Sequence, residues 1–357
     1  MARITIDNRI IDAEKGETIL NAAERAGIRI PYLCHKDGVG HYTSCMVCMV
    51  RDSLADKFLP SCTALVSDDM EIDASSEKVM DIRRKAVELL LSEHRAECEA
   101  QCRVVCPAGY NVPEINRLLA AGDLKAAIGV ILKGLDSPEI RCLTCPGYCE
   151  NACRRKKIDL PVSIKNILIF VYKNISKDEL PASNNNDAGV RKSGNKRFAS
   201  RIGRLEGFEL KEWLKESADV SVRFREISDL VSAGREAENC MHCDCRAADS
   251  CKLRSVAEEL SVKDPAGKVV NVSIEKKINH KTGLIFENAK CIKCGLCVRI
   301  CEDSKEEPAL CFINRGFISV ISEPLTEEFS NILATRSEKC IEVCPTGALG
   351  SFRKNES

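Results

Sequence analysis

Cysteine is the residue type that could do chemistry in this chain. The 357 residues include 22 cysteines, and seven of them lie between residues 98 and 153 in two groups separated by an apolar helical segment. The groups read C-x3-C-x3-C-P and C-x2-C-P-x2-C-x3-C. A four-iron cluster takes one thiolate per iron, and short gaps let one loop supply several ligands while a distant cysteine completes the set. The spacing therefore predicts iron-sulfur clusters.

Two other uses of clustered cysteines compete with this prediction. Disulfides suit exported chains, but residues 1–9 alternate polar and apolar side chains instead of forming a signal peptide, and cytosolic thiols are kept reduced. Structural zinc is the stronger alternative, because C-x2-C pairs also form zinc ribbons. The Cys-Pro pairs favour iron-sulfur clusters over zinc. Because no signal peptide is predicted, we expect a cytoplasmic protein.

Composition and charge describe an ordinary globular chain. Hydrophobic residues make up 44% of it, and 53 basic residues balance 53 acidic ones. With a net charge of zero, the chain has no overall electrostatic attraction to nucleic acid or to an anionic membrane. The sequence also contains no apolar run of about 18 residues that would predict a membrane span. Neither a Gly-x-Gly-x-x-Gly after a strand nor a Walker motif is present. We therefore expect catalysis to take place on another chain.

Residues 1–80 predict a small domain around four cysteines. Alternating residues predict a hairpin over 3–12, a helix follows that Gly27 ends in a left-handed conformation, and strands are expected at 46–51 and 70–73. The cysteines are spaced C-x10-C-x2-C-x13-C and are Cys34, Cys45, Cys48 and Cys62. Four thiolates from one long loop and one later residue suit a [2Fe-2S] cluster.

This hairpin, helix, Pro-x2-Cys and cysteine spacing resemble the N-terminal [2Fe-2S] domain of the large iron-sulfur subunit of NADH dehydrogenase. Iron hydrogenases and NAD-linked formate dehydrogenases share that domain, and the resemblance implies a β-grasp fold. After an amphipathic helix over 77–96, His94-x3-Cys98 matches the opening of a site that the same family holds with one histidine and three cysteines. The next cysteines depart from that pattern. His94 is thus either a ligand or an exposed cation at the helix end.

The segment from Cys98 to about residue 172 resembles the cluster domain of glutamate synthase small subunits and dihydropyrimidine dehydrogenase. Cys106-Pro107, the helix opened by Val112-Pro113 and the helical stripe from 118 to 132 carry the resemblance, together with Cys145-Pro146. It implies a helical domain with two interleaved [4Fe-4S] clusters. One would use Cys98, Cys102 and Cys153 with His94 or Cys142 as fourth ligand, and the other Cys106, Cys145 and Cys149.

The fourth ligand of that second cluster is where the chain departs from these relatives. They often place a Gln or Glu in the helix after Pro161-Val162, and this chain has Leu168 there. Cys142 could substitute for it.

Residues 174–238 predict a linker with short helices at 210–214 and 224–233, and the linker carries a basic stretch from Lys192 to Arg204. Next come Cys240, Cys243, Cys245 and Cys251, which we interpret as a local [4Fe-4S] or zinc site. The tail C-x5-C-x-L resembles the end of the mixed histidine and cysteine motif of the NADH dehydrogenase subunit. The glutamate-synthase-like segment would then be an insertion between His94 and this tail.

The C-terminal region predicts a ferredoxin-like [4Fe-4S] domain. Its ligands would be three clustered cysteines and a remote Cys-Pro: Cys291, Cys294, Cys297 and Cys344. A second ferredoxin cluster would need cysteines where the chain has Ala334 and Ser337. The leftover Cys301, Cys311 and Cys340 are expected to be buried thiols, with a shared extra cluster as the alternative.

The sequence thus predicts an α+β multidomain protein. Its parts would be a β-grasp [2Fe-2S] domain (1–80), a helical double-cluster domain (81–173), a linker (174–238), a four-cysteine knuckle (239–260) and a ferredoxin-like domain (261–357). We expect one [2Fe-2S] and about four [4Fe-4S] clusters that relay electrons between an FAD/NAD(P)-dependent flavoprotein and a separate catalytic subunit, a hydrogenase, formate dehydrogenase or similar oxidoreductase. A stand-alone ferredoxin-like carrier and a zinc-binding structural module are the alternatives.

Overall fold

The computed structural model describes residues 2–40, 42–135, 140–179, 201–202, 207–217, 224–262 and 274–351. The described residues form two compact units. The first unit contains those up to Ala96, those from Asp249 onward, and residues 201–202. The second contains the other described residues from Glu97 to Ala248. Part of the predicted linker (residues 180–200, 203–206 and 218–223), including most of its basic stretch, lies outside the described residues.

A five-stranded sheet opens the first unit. Its strands are β1 (Ala2–Ile6), β2 (Arg9–Ala13), β3 (Met49–Asp52), β4 (Lys57–Pro60) and β5 (Glu71–Asp73), in the order β2-β1-β5-β3-β4. Only the β1–β5 pair is parallel among these neighbours. The predicted hairpin is confirmed, with Asp7 and Asn8 at φ of 46° and 66° in its turn. This mixed sheet is the predicted β-grasp arrangement.

Two helices accompany this sheet. Helix α1 (Ile19–Arg25) begins after Thr18, whose side chain accepts a hydrogen bond from the Asn21 N–H, and its apolar face is buried. Gly27 follows with φ of +71°, as predicted. Helix α2 (Glu77–Glu93) packs on β3, where the buried Arg83 guanidinium donates to the Met49 carbonyl at 2.9 Å. The short strand β6 (Ala96–Glu97) comes next.

The second unit is helical. Its helices are α3 (Gln101–Val104), α4 (Val112–Ala120), α5 (Leu124–Leu132), α6 (Tyr148–Asn151), α7 (Ile164–Lys173), α8 (Leu210–Leu214) and α9 (Leu230–Ala237). The helical stripe from 118 to 132 is not one continuous helix. Gly122 at φ of +76° breaks it, and the Asp123 carboxylate caps α5 by accepting from the Ala126 N–H at 2.9 Å.

The helix expected over 224–233 also begins later, at Leu230. Asp229 and Ser232 form a capping box there, so the preceding described residues remain outside the helix. Helix α9 packs on α4, and a Cβ added to Gly234 would meet the Leu119 carbonyl oxygen at 3.0 Å. The backbones of these two helices therefore approach closely. Their buried residues join those of α5 and α7 in one core.

The C-terminal part of the first unit is smaller. It contains α10 (Lys252–Glu259), β8 (Lys276–Asn279), β9 (Leu284–Glu287), α11 (Leu296–Ser304), β10 (Cys311–Ile313), β11 (Val320–Ser322), α12 (Ser337–Val343) and β12 (Leu349–Ser351), while β7 is Arg201–Ile202. A three-stranded sheet has the order β12-β9-β8, and β10 pairs with β11. Helices α11 and α12 pack together. Within the described ranges, no helix is long and apolar enough to cross a bilayer.

Candidate metal centres

The first group of thiols, which we call site 1, is Cys34, Cys45, Cys48 and Cys62. The register of β3 with β4 pairs Met49 with Pro60, so Cys48 before β3 lies near Cys62 after β4. All four side chains are buried. A hydrogen bond to Cys34 raises the pKa of Cys45, and one to Cys48 raises the pKa of Cys62 while lowering that of Cys48 to about 7. The sequence-predicted set is thus brought together as two thiol pairs.

A second group, site 2, surrounds a cavity inside the helical unit. Its cysteines are Cys102, Cys153, Cys240 and Cys243. Cys102 lies on α3, Cys153 follows α6, and the other two lie on the loop after α9. Burial raises the pKa of Cys102 and Cys243 well above the usual thiol value and that of Cys240 to about 11. Four cysteines therefore face one largely apolar cavity.

Site 2 differs from both groupings expected from the sequence. Cys98 was expected with Cys102 and Cys153, and Cys240 and Cys243 with two later cysteines. In the structure the packing of α9 on α4 places the loop after α9 beside the cavity, and this loop supplies half of the set. No local spacing signals that arrangement, because the two halves are more than 80 residues apart in the chain.

Buried charges fix the loop that carries Cys240 and Cys243. The Arg117 guanidinium on α4 donates to both carboxylate oxygens of Asp244, at 2.9 and 2.8 Å. Burial alone would raise the pKa of Asp244, but Arg117 holds it well below its usual value. Further along, Arg246 forms a bidentate ion pair with Glu216. The loop is thereby tied to α4 and to the segment after α8.

Site 3 is the group formed by Cys106, Cys142, Cys145 and Cys149. Burial, with smaller contributions from neighbouring thiols of the group, raises the pKa of Cys142 and Cys149 to about 12. The Gly147 N–H donates to the Cys145 sulfur at 3.4 Å. Leu168 is buried in the core of this unit. Of the two roles considered for Cys142, the structure thus places it in the group with Cys106, Cys145 and Cys149.

Site 4 lies in the C-terminal part of the first unit and contains Cys291, Cys294, Cys297 and Cys344. The packing of α11 on α12 brings the end of α12, and with it the Cys-Pro cysteine, to the first three. Burial raises the pKa of Cys291 to about 12 and raises those of Cys294 and Cys297 as well. The structure therefore brings together the set that the spacing groups.

Two leftover cysteines fill the space beside site 4. Cys301 and Cys340 are buried in the core with their sulfurs 3.8 Å apart. Cys311 is partly buried on β10. The expectation of buried thiols thus fits the first two more closely than the third.

Four candidate ligands remain, two in each unit. In the second unit the Cys245 N–H donates to the Cys98 carbonyl at 3.2 Å. In the first unit are His94 and Cys251, whose thiol lies 3.8 Å from the Pro345 carbonyl. Cys245 and Cys251 belong to different units, so the four cysteines predicted as one local knuckle do not all lie in the same unit.

His94 is not the exposed cation that the sequence allowed. It is 4% exposed, and burial lowers the pKa of its imidazole to about 4. One ring nitrogen bonds to the backbone of Lys290, whereas Nδ1 has no hydrogen-bond partner among the described residues. A neutral imidazole held through one nitrogen, with a lone pair on the other, fits a metal ligand.

The donor sets suit iron-sulfur clusters better than single ions. A zinc ion binds all its sulfurs at about 2.3 Å from one point. Within the described part of the chain, no three His, Cys, Asp or Glu side chains converge closely enough to hold one metal ion. A cluster attaches its thiolates to different irons, so the sulfurs surround a larger space. Sites 1 to 4 each offer the four buried or partly buried thiols that this requires.

Comparison with protein families matches three parts of the chain. Residues 1–77 match a 2Fe-2S iron-sulfur cluster binding domain, and residues 83–180 match dihydropyrimidine dehydrogenase domain II with a 4Fe-4S cluster. Residues 284–350 match the ferredoxin-like domain of NADH-quinone oxidoreductase subunit 3. Site 1, site 3 and site 4 each fall inside one match, whereas Cys240 and Cys243 of site 2 fall outside all three. Both resemblances drawn from the sequence are confirmed.

Curated relatives come from oxidoreductases. The chain is 32% identical over 154 residues to the NADPH-Fe(3+) oxidoreductase subunit alpha of Geobacter sulfurreducens, an alignment covering 41% of this chain and 18% of that protein. It is 31% identical over 154 residues to the NADH-ubiquinone oxidoreductase 75 kDa subunit of Reclinomonas americana, covering 41% and 22%. It is 37% identical over 103 residues to the NADP-reducing hydrogenase subunit HndD of Solidesulfovibrio fructosivorans, covering 28% and 18%. The alignments thus span less than a quarter of each of these relatives.

A solved structure has a similar fold. A chain of an NAD+-reducing [NiFe]-hydrogenase in the H2-reduced state aligns with a TM-score of 0.52 at 15% identity, over 98% of this chain and 87% of that one. At this identity the likeness concerns the fold alone. The thiol sets and the three domain matches together carry the assignment. The chain is an iron-sulfur protein that combines a 2Fe-2S domain, a 4Fe-4S domain of the dihydropyrimidine dehydrogenase type and a ferredoxin-like domain of the NADH-quinone oxidoreductase type.

Proposed function

We propose that this chain is a multi-cluster electron-transfer subunit. Site 1 would hold a [2Fe-2S] cluster, and sites 2, 3 and 4 would each hold a [4Fe-4S] cluster. Beyond these sites, His94, Cys98, Cys245 and Cys251 remain candidate ligands. When bound, such a cluster accepts and releases one electron at a time. The observation that carries the proposal is the gathering of sixteen thiols into four sets of four, two sets in each compact unit.

Neighbouring sets within each unit support a relay. In the first unit the Ser44 hydroxyl of the site 1 loop donates to the Cys294 carbonyl of site 4 at 3.5 Å. In the second unit Cys149 of site 3 lies on α6, and Cys153 of site 2 follows two residues after the last residue of that helix. The two cysteines are thus four positions apart, about one helical turn. Each unit would therefore pass electrons between two adjacent centres.

The partners we propose are an FAD/NAD(P)-dependent flavoprotein subunit and a catalytic oxidoreductase subunit. The names of the similar proteins include NADPH, NADH and hydrogenase chemistry, which supports partners of these classes. The role of this chain's own residues is to bind the clusters, exclude water from them and set their potentials. Purification without oxygen, with measurement of iron, acid-labile sulfide, zinc and co-purifying flavin, tests this role. A preparation that binds only zinc would refute it.

Paired cysteine variants test the four sets. We expect Cys243→Ser to remove the same [4Fe-4S] EPR signal as Cys102→Ser, because both line site 2. Cys145→Ser should remove a different signal and leave the [2Fe-2S] signal of site 1 intact. If Cys243→Ser and Cys102→Ser abolish different signals, the assignment of site 2 is wrong. If Cys145→Ser also abolishes the [2Fe-2S] signal, the domain assignment is wrong.

A further inference from the structure

A buried asparagine beside site 2 needs an explanation. Asn116 lies in the middle of α4 and is 1% exposed. Neither its amide nitrogen nor its amide oxygen has a hydrogen-bond partner among the residues that the structure describes. Asparagine is a poor residue for a helix interior, and burying an amide without partners is costly. Such a group in a native core points to a function for the polar side chain.

The Asn116 amide faces the thiols. It lines the site 2 cavity together with the four cysteines, and it lies close to Cys240. The nearby amide lowers the pKa of the Cys240 thiol, which burial otherwise raises. A sulfur that binds iron has lost its proton and can only accept a hydrogen bond. In the loaded protein the NH2 group of Asn116 is therefore the part of the amide that can bond to it.

Asn116 and Cys240 are both held in place. The neighbours of Asn116 on α4, Ile115 and Leu119, are buried in the core. Cys240 follows α9, whose Gly234 lies close to the Leu119 carbonyl, and its loop is tied to α4 by the Arg117–Asp244 pair. The amide donor is thus positioned before any cluster binds.

We propose that Asn116 sets the reduction potential of the site 2 cluster by donating an N–H···S hydrogen bond to the ligand sulfur of Cys240. The inference rests on the proposed function, namely that site 2 holds a [4Fe-4S] cluster. Reduction adds negative charge to the cluster and its sulfurs, so a hydrogen-bond donor stabilises the reduced form more than the oxidised form. Asn116 therefore raises the potential of this centre.

Redox titration followed by EPR tests the proposal. Asn116→Leu keeps a similar volume and removes the donor, and we expect the site 2 midpoint to become more negative by about 59 mV, a tenfold change in the equilibrium of a one-electron couple. The signal of site 2 is identified as the one missing in Cys243→Ser. The site 3 cluster of the same molecule serves as internal control. The matched control variant is Asn166→Leu. In the wild type the exposed Asn166 side chain on α7 donates to the Arg225 carbonyl, away from the cysteines, so this variant should shift neither signal.

A second variant and a second readout complete the test. Asn116→Asp keeps the shape but presents a carboxylate acceptor, so it should shift the site 2 midpoint in the same direction and further. Exchange into D2O should shift the Fe–S(Cys) vibrations of site 2 in the wild type and not in Asn116→Leu. If the loaded variants keep the wild-type midpoint and isotope shift, the proposal is wrong while the proposed function stands. If the wild type binds no iron at site 2, the proposed function itself fails.

Discussion

Removing the Arg117 guanidinium should destabilise the helical unit strongly. Arg117 forms two short hydrogen bonds to Asp244, and their side chains are only 15% and 5% exposed. Arg117→Leu leaves the Asp244 carboxylate buried without its closest cation. Breaking a buried ion pair by removing one partner costs about 3–5 kcal/mol. We therefore expect the free energy of unfolding of the variant to fall by about that amount.

Trp213 provides the assay. It is the single tryptophan of the chain, it is 4% exposed, and it packs with Leu210 and Met241 next to Cys240. Its fluorescence during anaerobic urea unfolding follows the surroundings of the Cys240 loop. The matched control is Lys215→Met, which removes the 2.7 Å ion pair with Glu212 at a position 46% exposed. Exposed pairs contribute about 1 kcal/mol or less.

The double variant Arg117→Leu/Asp244→Leu separates charge from packing. It should recover part of the stability lost by Arg117→Leu, because no unpaired charge then remains in the core. The iron content of site 2 should fall in Arg117→Leu together with stability, since Asp244 follows Cys243 directly. If Arg117→Leu lowers the free energy of unfolding no more than Lys215→Met does, the pair does not hold the loop. The same conclusion follows if the double variant is less stable than Arg117→Leu.

Two further predictions concern residues beside the clusters. The Lys165 ammonium donates to the Cys145 carbonyl at 2.8 Å, so Lys165→Met should make the site 3 midpoint more negative in an EPR titration. The control is Lys125→Met, which changes an exposed lysine on α5. Equal site 3 midpoints in the two variants would contradict the effect of Lys165 on the potential. Cys340→Ala should keep the full iron content and lower the free energy of unfolding by about 1 kcal/mol, because the buried Cys340 thiol lies 3.8 Å from that of Cys301, donates to the Cys297 carbonyl at 3.7 Å and is not one of the four cysteines of site 4. Loss of iron in that variant would show that the pair takes part in a cluster.

Local features of this chain could be predicted from its sequence. The turn at Asp7 and the end of α1 at Gly27 each depend on a few consecutive residues, and both are as expected. Three cysteines of site 4 likewise follow one another within a single turn-and-helix segment, so their grouping needs no distant contact. Cysteine spacing also identified the types of domain, which the family comparison confirms.

Features that depend on distant packing could not be predicted. The break of the long helical stripe at Gly122 and the late start of α9 at Leu230 are small local errors. The burial of His94 has a different origin. A residue at the end of an amphipathic helix is expected to be exposed when only the sequence of that helix is considered, because the sequence does not show which distant segment packs over it. The membership of site 2 depends on the contact of α9 with α4, which periodicity within either helix does not reveal.

The two sites of the helical unit differ in what limits their formation. Site 3 spans 43 positions, from Cys106 to Cys149, and site 2 spans 141, from Cys102 to Cys243. Loop-closure entropy grows only with the logarithm of length, so the longer span costs about 1 kcal/mol more. That difference is smaller than the loss expected when the Arg117–Asp244 pair is broken. Formation of site 2 is therefore governed by the packing and charges that hold the loop after α9 against α4, and the length of the intervening chain is the minor factor.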